Sequence, residues 1–377
     1  MIENRRSSVS KMTAKDVFTK AQTWESLPTV DISGWAANSN DEKIAAASNL
    51  IDIVTTKGFF YLSGHGIEQS KVEDVYAASK AFHDQPSEYK ERYHIKNSRH
   101  HRGWVPFSEI GQFEKDNESH QVFYESFDLS YDLEPGDARI QKGYGLVGPN
   151  VWPDLPDFRS SVKSYYDSVY SLGRDLLGIF ELGLGMNQGQ LLRHINAPTS
   201  QLRLLSYLEN DAPADEFNHG IDAHSDYECF TILHATGPGL QLLSSEGHWV
   251  ETPPVENHFI VLIGDVLEAW SGGKLTATQH RVVNRGASRF SLPLFFGADF
   301  DCVVRPEIPF DSPKAREQYP SFVAGEHLWG RTIKIFPYLS DLMDSGELNV
   351  DFKITDENPF KRVSKEEEDL LQQRSAS

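Results

Sequence analysis

The 377-residue sequence contains little cysteine and no long apolar segment. Its two cysteines, Cys229 and Cys302, do not form a C-x-x-C motif, so they are typical of reduced core thiols rather than of a disulfide framework. No apolar run approaches the ~18 residues that a membrane-spanning helix needs. These absences argue against a disulfide-rich secreted domain, and they predict a cytoplasmic protein that has no membrane partner.

The amino-terminal residues also lack the features of a secretory signal. Residues 1–16 contain no apolar stretch that could serve as its central region. Arg5 and Arg6 leave a transit peptide open, although Glu3 and Asp16 do not fit the acid-poor composition of such peptides. We expect residues 1–26 to form a polar, disordered segment.

Basic residues are scarce relative to acidic ones. Lysine and arginine together number 36 and aspartate and glutamate 55, which gives a formal net charge of −19. Such a field repels phosphate backbones, so nucleic acid is not an expected partner. We expect a small-molecule substrate and a monomer or weak homodimer.

The hydrophobic pattern of the sequence changes at Pro198. Before it, the apolar spacing predicts helices at 41–57, 69–83 and 158–184 and strands at 27–32, 59–63 and 122–129. After it, short strands alternate with Gly, Pro and Asp turns, at 201–208, 229–235, 239–243, 258–263, 280–283 and 289–296. This pattern predicts a mainly β fold with flanking helices, whose core is a double-stranded β-helix, or jelly roll, with an N-terminal helical and β segment.

Three residues after Pro198 have the spacing of a metal site. His224 and Asp226 are two residues apart, so in an extended chain both side chains project from one face. His280 begins a β-branched run after the Gly272-Gly273 turn, which could return the chain to the first strand. Two imidazoles and one carboxylate on one side of an ion leave the other positions open, as in non-haem Fe(II) oxygenases. His219, His234, His248 and His258 are rival ligands by position.

Arg289 and Ser291 repeat the same spacing one strand further on. A guanidinium and a hydroxyl that point in one direction suit a carboxylate ligand. The apolar residues around Arg289 indicate a buried strand, where a charge needs a dedicated partner.

These motifs resemble the 2-oxoglutarate- and Fe(II)-dependent dioxygenases of the isopenicillin N synthase-like family. The similarity rests on H-x-D, a later H and R-x-S, with G-P-G-L-Q-L and I-G-D between them. A second match lies upstream, where L-P-T-V-D and G-F-F-Y-L-S-G-H-G-I are similar to that family's amino-terminal signature. Together the matches extend from Leu27 to about Asp299.

The resemblance implies that His224, Asp226 and His280 are the catalytic metal ligands and that Fe(II), 2-oxoglutarate and O2 are the cofactor and cosubstrates. It implies that Arg289 and Ser291 anchor the 5-carboxylate of 2-oxoglutarate. Tyr207 lies at a position whose phenol often helps to hold that carboxylate, although Leu205 replaces the asparagine of the plant enzymes. The implied reaction oxidises an unactivated C–H bond by hydroxylation, desaturation or oxidative cyclisation, with release of succinate and CO2.

The resemblance also suggests a division of the chain. We expect an N-terminal dioxygenase region at 27–150, the catalytic jelly roll with a buttressing helix at 151–300, a packed C-terminal extension at 301–363 and a polar tail at 364–377.

The substrate is expected to be a small polar metabolite, amino-acid-like or carboxylate-bearing. Arg203 is a candidate cation for a substrate carboxylate, and Tyr227 is a candidate neighbour. Arg102 lies in a basic and aromatic segment, residues 99–106, of the kind that lines pockets from a loop.

Other interpretations remain open. Isopenicillin N synthase and the ethylene-forming amino-cyclopropane oxidases share the expected fold but do not use 2-oxoglutarate, and Arg-x-Ser alone does not exclude the latter. A non-catalytic metal- or 2-oxoglutarate-binding module is a second alternative. A zinc hydrolase is disfavoured, because Arg289 and Ser291 would then have no purpose.

Overall fold

A computed structural model describes residues 22–24, 26–109, 123–209, 220–283, 285–355, 360 and 362. The described strands, in chain order, are β1 (Gln22–Thr23), β2 (Thr29–Asp31), β3 (Phe59–Ser63), β4 (Gly103–Val105), β5 (Tyr124–Ser130), β6 (Gln201–Tyr207), β7 (Ile221–His224), β8 (Phe230–Ala235), β9 (Leu240–Leu243), β10 (Trp249–Glu251), β11 (Phe259–Ile263), β12 (His280–Val282), β13 (Arg289–Phe296), β14 (Val303–Val304) and β15 (Phe322–Val323).

The described α-helices surround these strands. They are α1 (Asn40–Lys57), α2 (Gln69–His83), α3 (Ser87–Lys90), α4 (Phe158–Gly183), α5 (Asp265–Trp270), α6 (Pro313–Gln318), α7 (Ala324–Ile335) and α8 (Pro337–Asp344). Among the described residues, no helix is both long enough and apolar enough to cross a membrane.

Two facing sheets form the jelly-roll core. The larger has eight strands in the order β2-β3-β11-β8-β13-β6-β5-β4, and the smaller has five in the order β1-β10-β9-β12-β7. The neighbouring strands β8, β13 and β6 pair antiparallel and form the centre of the large sheet. A cavity lies between the two sheets and is lined by alternate residues of both.

Alternation along β11 (Phe259–Ile263) shows how the sequence builds two layers from one strand. Phe259, Val261 and Ile263 belong to the large core cluster that includes the helices. Ile260 and Leu262 belong to a smaller cluster with Leu240 and Leu242 of the five-stranded sheet. A strand buried on both faces reads as a continuous apolar run, which is what this segment shows.

Helix α4 (Phe158–Gly183) supports the large sheet from behind. Its buried residues recur every three or four positions, as an amphipathic helix requires. Gly173 allows the closest approach, because a Cβ there would lie 2.3 Å from the Phe296 ring of β13. The helix therefore fixes the strand that carries Arg289 and Ser291.

The sequence predicts three of the described helices, at 41–57, 69–83 and 158–184, and nine of the described strands to within one or two residues. It missed the short strands β1, β4, β7, β10, β14 and β15, the helices α3 and α5, and the helices after residue 300. The end of the segment 1–26, which we expect to be disordered, contributes to the small sheet. There β1 (Gln22–Thr23) pairs in parallel with β10, and the Trp24 ring lies 4.8 Å from that of Phe59. Residues 1–21 and the polar tail lie outside the described residues.

Candidate active site

Strand pairing brings the three sequence-predicted ligands together. His280 begins β12 and pairs with His224 at the end of β7, while Asp226 follows two residues after that strand ends. The Asp226 Oδ1 atom lies 3.7 Å from His224 Nε2 and 3.6 Å from His280 Nε2. All three ligand atoms lie within 4.8 Å of one another, and no other such group occurs among the described residues.

Hydrogen bonds on the far side of each group orient these atoms. The Nδ1 of His224 lies 2.7 Å from the Asp222 carbonyl oxygen, and the Nδ1 of His280 lies 2.9 Å from that of Thr278. A carbonyl only accepts, so each Nδ1 carries the proton and each Nε2 presents a lone pair inward. The Thr231 hydroxyl donates to Asp226 Oδ2, which leaves Oδ1 facing the two histidines.

The turn that carries Asp226 is held by the segment that begins α5. The Asp265 amide donates to the Asp226 carbonyl at 2.9 Å, and the Val266 amide donates to the Glu228 carbonyl at 3.0 Å. Gly264 permits this contact, because a Cβ there would lie 2.3 Å from the Glu228 carbonyl oxygen. The I-G-D motif therefore shapes the loop between the first two ligands and β8.

The donor set suits an iron(II) ion better than a structural zinc. Two neutral imidazoles and one carboxylate on one side leave open positions, whereas structural zinc is usually closed by four protein ligands. Burial and the neighbouring His280 lower the pKa of His224 to about 4. His224 is therefore unprotonated near neutral pH, as a metal ligand must be.

Arg289, Ser291 and Tyr207 line the same cavity on the opposite sheet, and we call this region the Arg289 end. Arg289 pairs with Tyr207 across β13 and β6, and its Cζ lies 3.7 Å from the Tyr207 ring centroid. Arg289 is only 8% exposed, and its Nη2 hydrogen-bonds to no described residue. Burial raises the pKa of the Tyr207 phenol, although Arg289 opposes the rise, so the hydroxyl remains a donor.

Arg203 lies four residues before Tyr207 on the same face of β6, which places it ~13 Å further along the strand. Its Nη2 and Nε donate to the Asp128 carboxylate at 2.7 and 2.9 Å. Asp128 is fully buried on β5, opposite Arg203. Arg203 is the residue expected as a cation for a substrate carboxylate, and in the structure its charge is already paired with Asp128.

Arg102 does not appear among the residues that line the cavity. Its guanidinium donates to the carbonyls of His100, His101 and Leu146, so it fixes the loop from within. The residue that reaches the cavity is its neighbour His101. The backbone of His101 is left-handed, with φ 56°, a conformation that bulky residues rarely adopt.

Glu228 and His101, two polar residues near Arg203, were not predicted from the sequence as site residues. Glu228 is 4% exposed and lines the cavity, and burial and the Asp226 carboxylate raise its pKa well above the ordinary value. His101 Nδ1 lies 2.7 Å from the Tyr338 hydroxyl, while its Nε2 has no partner among the described residues. We call His101, Gln201, Arg203 and Glu228 the Arg203 end. Tyr227, which the sequence did predict, also lines the cavity.

Helix α7 (Ala324–Ile335) closes the cavity above these residues. Leu328, Thr332 and Ile335 line the cavity together with Phe336, which follows the helix. His327 of the same helix lies 2.9 Å from Asp265 through its Nε2 atom, which ties the helix to the segment that holds the ligand loop. No sequence motif indicated this contribution.

Two family models match the chain. The model of the non-haem dioxygenase N-terminal region matches residues 27–155, and the 2OG-Fe(II) oxygenase superfamily model matches residues 198–298. The second range contains all three candidate ligands as well as Arg289 and Ser291. The first contains the amino-terminal motif that begins at Leu27.

Relatives and solved structures agree with both models. The 2-oxoglutarate-dependent dioxygenase traH of Penicillium crustosum is 30% identical over 73% of this chain and 85% of its own length. Homoarginine-6-hydroxylase 2-ODD-C23 of Glycine max is 27% identical over 84% and 99%. A structure assigned to the 2OG-Fe(II) oxygenase family, from Caulobacter crescentus, has a TM-score of 0.70 at 27% identity and covers 82% of this chain and 99% of its own.

The expected fold and cofactor class are thereby confirmed, and the chain belongs to the isopenicillin N synthase-like family as an Fe(II)- and 2-oxoglutarate-dependent dioxygenase.

Proposed function

We propose that this enzyme oxidises an unactivated C–H bond of a small polar metabolite, with His224, Asp226 and His280 as the iron ligands. Arg289, Ser291 and Tyr207 bind the 5-carboxylate of 2-oxoglutarate. Hydroxylation, desaturation and oxidative cyclisation share this requirement, and the pose of the substrate selects among them. The Arg289 end of the cavity then holds 2-oxoglutarate, and the Arg203 end holds the substrate.

The main support for this proposal is that Arg289 is buried without an anionic partner among the described residues. A guanidinium that is 8% exposed and has an unpartnered Nη2 among the described residues is costly to bury without an anion. The neighbouring Ser291 and Tyr207 add hydroxyl donors, and no carboxylate of the described residues forms an ion pair with Arg289. An external carboxylate is therefore the partner that completes this site.

The protein's own part in the reaction is binding and orientation. The Nδ1–carbonyl bonds keep both imidazole lone pairs directed inward, and Thr231 keeps Asp226 Oδ1 directed at them. When bound, iron and 2-oxoglutarate together supply the chemistry that lets O2 oxidise a C–H bond, with release of succinate and CO2. The apolar side chains of the cavity, including Leu205 and Val282, limit access of water to this region.

An anaerobic absorption titration tests the proposal. Purified protein is titrated with Fe(II) and then with 2-oxoglutarate, and the visible charge-transfer band of the chelate is recorded. The parent and Arg316→Ala, which removes an exposed arginine paired with Asp311, should saturate alike. Arg289→Ala should shift saturation to much higher 2-oxoglutarate concentrations.

Other outcomes identify the alternatives. Good iron binding without the band would favour an iron oxidase that does not use 2-oxoglutarate. In a second comparison, His224→Ala and Asp226→Ala should lose iron binding with little change in circular dichroism. His258→Ala removes a half-buried histidine outside the ligand cluster and should retain iron binding. Retained iron binding in both ligand variants would contradict the metal assignment.

A further inference from the structure

We propose that the Arg203 end binds an uncharged polar group of the substrate that offers an acceptor beside a donor, as an amide or lactam does. The inference rests on the proposed function, because it concerns the substrate of that same cavity. It replaces the expectation of a carboxylate-bearing substrate with a neutral head group.

Asp128 already balances the charge of Arg203. Its Nε and Nη2 atoms donate to both oxygens of Asp128, at 2.7 to 3.1 Å. Such a bidentate pair is the strongest arrangement that these two groups form, and a single carboxylate satisfies it. A second carboxylate at this point would have to compete with a fixed, fully buried one.

Two further donors also hold the Asp128 carboxylate in place. Gln201 Nε2 donates to it at 2.7 Å and the Ser126 hydroxyl donates at 2.9 Å. Together with Arg203, these donors satisfy both oxygens of the carboxylate. What Arg203 retains is Nη1, which hydrogen-bonds to no described residue, on a side chain that lines the cavity and is 21% exposed. This atom is a donor for a neutral acceptor such as a carbonyl oxygen.

A second carboxyl group, that of Glu228, lies near Arg203. Glu228 lies in the same cavity wall, and its carboxyl makes no hydrogen bond or ion pair with another described residue. An incoming carboxylate would meet this group without gaining an unpaired cation. The only hydrogen-bond donor to the Glu228 carboxyl among the described residues is its own backbone amide, so a substrate N–H or O–H would instead add a donor to this buried carboxyl.

The remaining walls fit a compact, partly apolar molecule. His101 Nε2 is buried and unpartnered among the described residues, and it adds one more polar contact. Phe295, Leu328 and Phe336 line the same part of the cavity and bring apolar surface. Polar groups that can both donate and accept, set between aromatic and aliphatic walls, favour a neutral head over a charged one.

Matched amide and acid pairs test the inference. Benzamide with benzoate and nicotinamide with nicotinate share one ring and differ in the charge of the head group. Binding to protein loaded with Mn(II) and 2-oxoglutarate is measured by ligand-observed NMR, with the band titration above run on the same preparation. The amides should bind about tenfold or more tightly than their acids. Equal or stronger binding of the acids, or no binding of either member in both pairs, would overturn the inference.

Two variants sharpen the test. Asp128→Asn keeps the shape of the side chain but frees the charge of Arg203, so benzoate should gain about tenfold in affinity. Glu228→Leu should weaken the amides by about tenfold and should not weaken the acids. If Asp128→Asn does not fold, Glu228→Leu still decides, because an unchanged amide affinity in that variant contradicts the proposal.

The outcome separates this inference from the proposed function. Loss of the charge-transfer band in the parent would count against the proposed function. A normal band together with a preference for acids would leave the proposed function standing and remove only the neutral head group.

Discussion

Two arginines line one cavity, Arg289 buried and Arg203 partly exposed, and they differ in which group balances their charge. Arg203 has its own aspartate within 2.7 Å, whereas Arg289 forms no ion pair with a described residue and stacks on the Tyr207 ring. Both lie on the same sheet, so the fold alone does not explain the contrast. Asp128 balances the charge of Arg203 within the protein, whereas Arg289 has no such partner among the described residues and is the arginine that we propose binds an external anion.

The largest expected effect is on 2-oxoglutarate affinity. Arg289→Met should weaken binding about 100-fold or more, because it removes charge-assisted hydrogen bonds to a carboxylate. Arg203→Met should leave this affinity within about threefold of the parent, since its guanidinium is held by Asp128. Isothermal titration calorimetry of the Mn(II)-loaded protein measures the 2-oxoglutarate affinity of both variants. Equal losses of affinity would contradict the assignment of Arg289 alone to the cosubstrate.

The free energy of unfolding should fall more in Arg203→Met than in Arg289→Met, the reverse of the order for 2-oxoglutarate affinity. Arg203→Met leaves the Asp128 charge buried without its cation, which costs about 3–5 kcal/mol in the free energy of unfolding. Arg289→Met breaks no internal ion pair of the described residues, so we expect a change below about 1 kcal/mol. Urea denaturation of the apoprotein measures the difference.

A double variant provides the control for that stability effect. Arg203→Met with Asp128→Asn removes both charges and should recover most of the lost stability. If the double variant is as unstable as Arg203→Met alone, lost packing rather than an unpaired charge is the cause.

A smaller effect is expected at Ser291. Ser291→Ala removes one hydroxyl donor beside Arg289, so 2-oxoglutarate affinity should fall about threefold to tenfold. Ser206 lies on the neighbouring strand and is not among the residues that line the cavity. Ser206→Ala is the matched control and should leave the affinity unchanged in the same titration.

The smallest effect is expected at Tyr207. Tyr207→Phe keeps the ring under the Arg289 guanidinium but removes the phenol, so affinity for 2-oxoglutarate should fall about threefold. Tyr207→Leu removes the ring as well and should cost more. Equal losses in the two variants would show that the hydroxyl, and not the ring contact, is what matters.

The sequence predicts the parts of the site that follow from strand periodicity. His224 and His280 face each other because their strands pair, and Arg289 and Ser291 share a face because they are two residues apart. Glu228 also lies two residues after Asp226, but both belong to the loop between β7 and β8, where the intervening Tyr227 reaches the cavity as well. Strand alternation therefore does not identify Glu228.

The sequence does not predict what depends on loop backbone and on distant chain segments. His101, rather than Arg102, reaches the cavity because the backbone at His101 is left-handed, and no local pattern reports a single φ angle. The pairing of Arg203 with Asp128 joins residues 75 positions apart on neighbouring strands. That partner determines whether the arginine can receive a ligand, so the motif alone could not assign its role.

Helix α7 (Ala324–Ile335) has a consequence for how this enzyme can diversify. It lines the cavity with Leu328, Thr332 and Ile335, yet it lies beyond residue 298, where the oxygenase family model ends. The proposed iron ligands and the Arg289 end all lie within that model. Exchanging helix α7 for the corresponding helix of a relative should therefore change which substrates are accepted, because it replaces part of the cavity wall and leaves the proposed iron ligands and the Arg289 end in place.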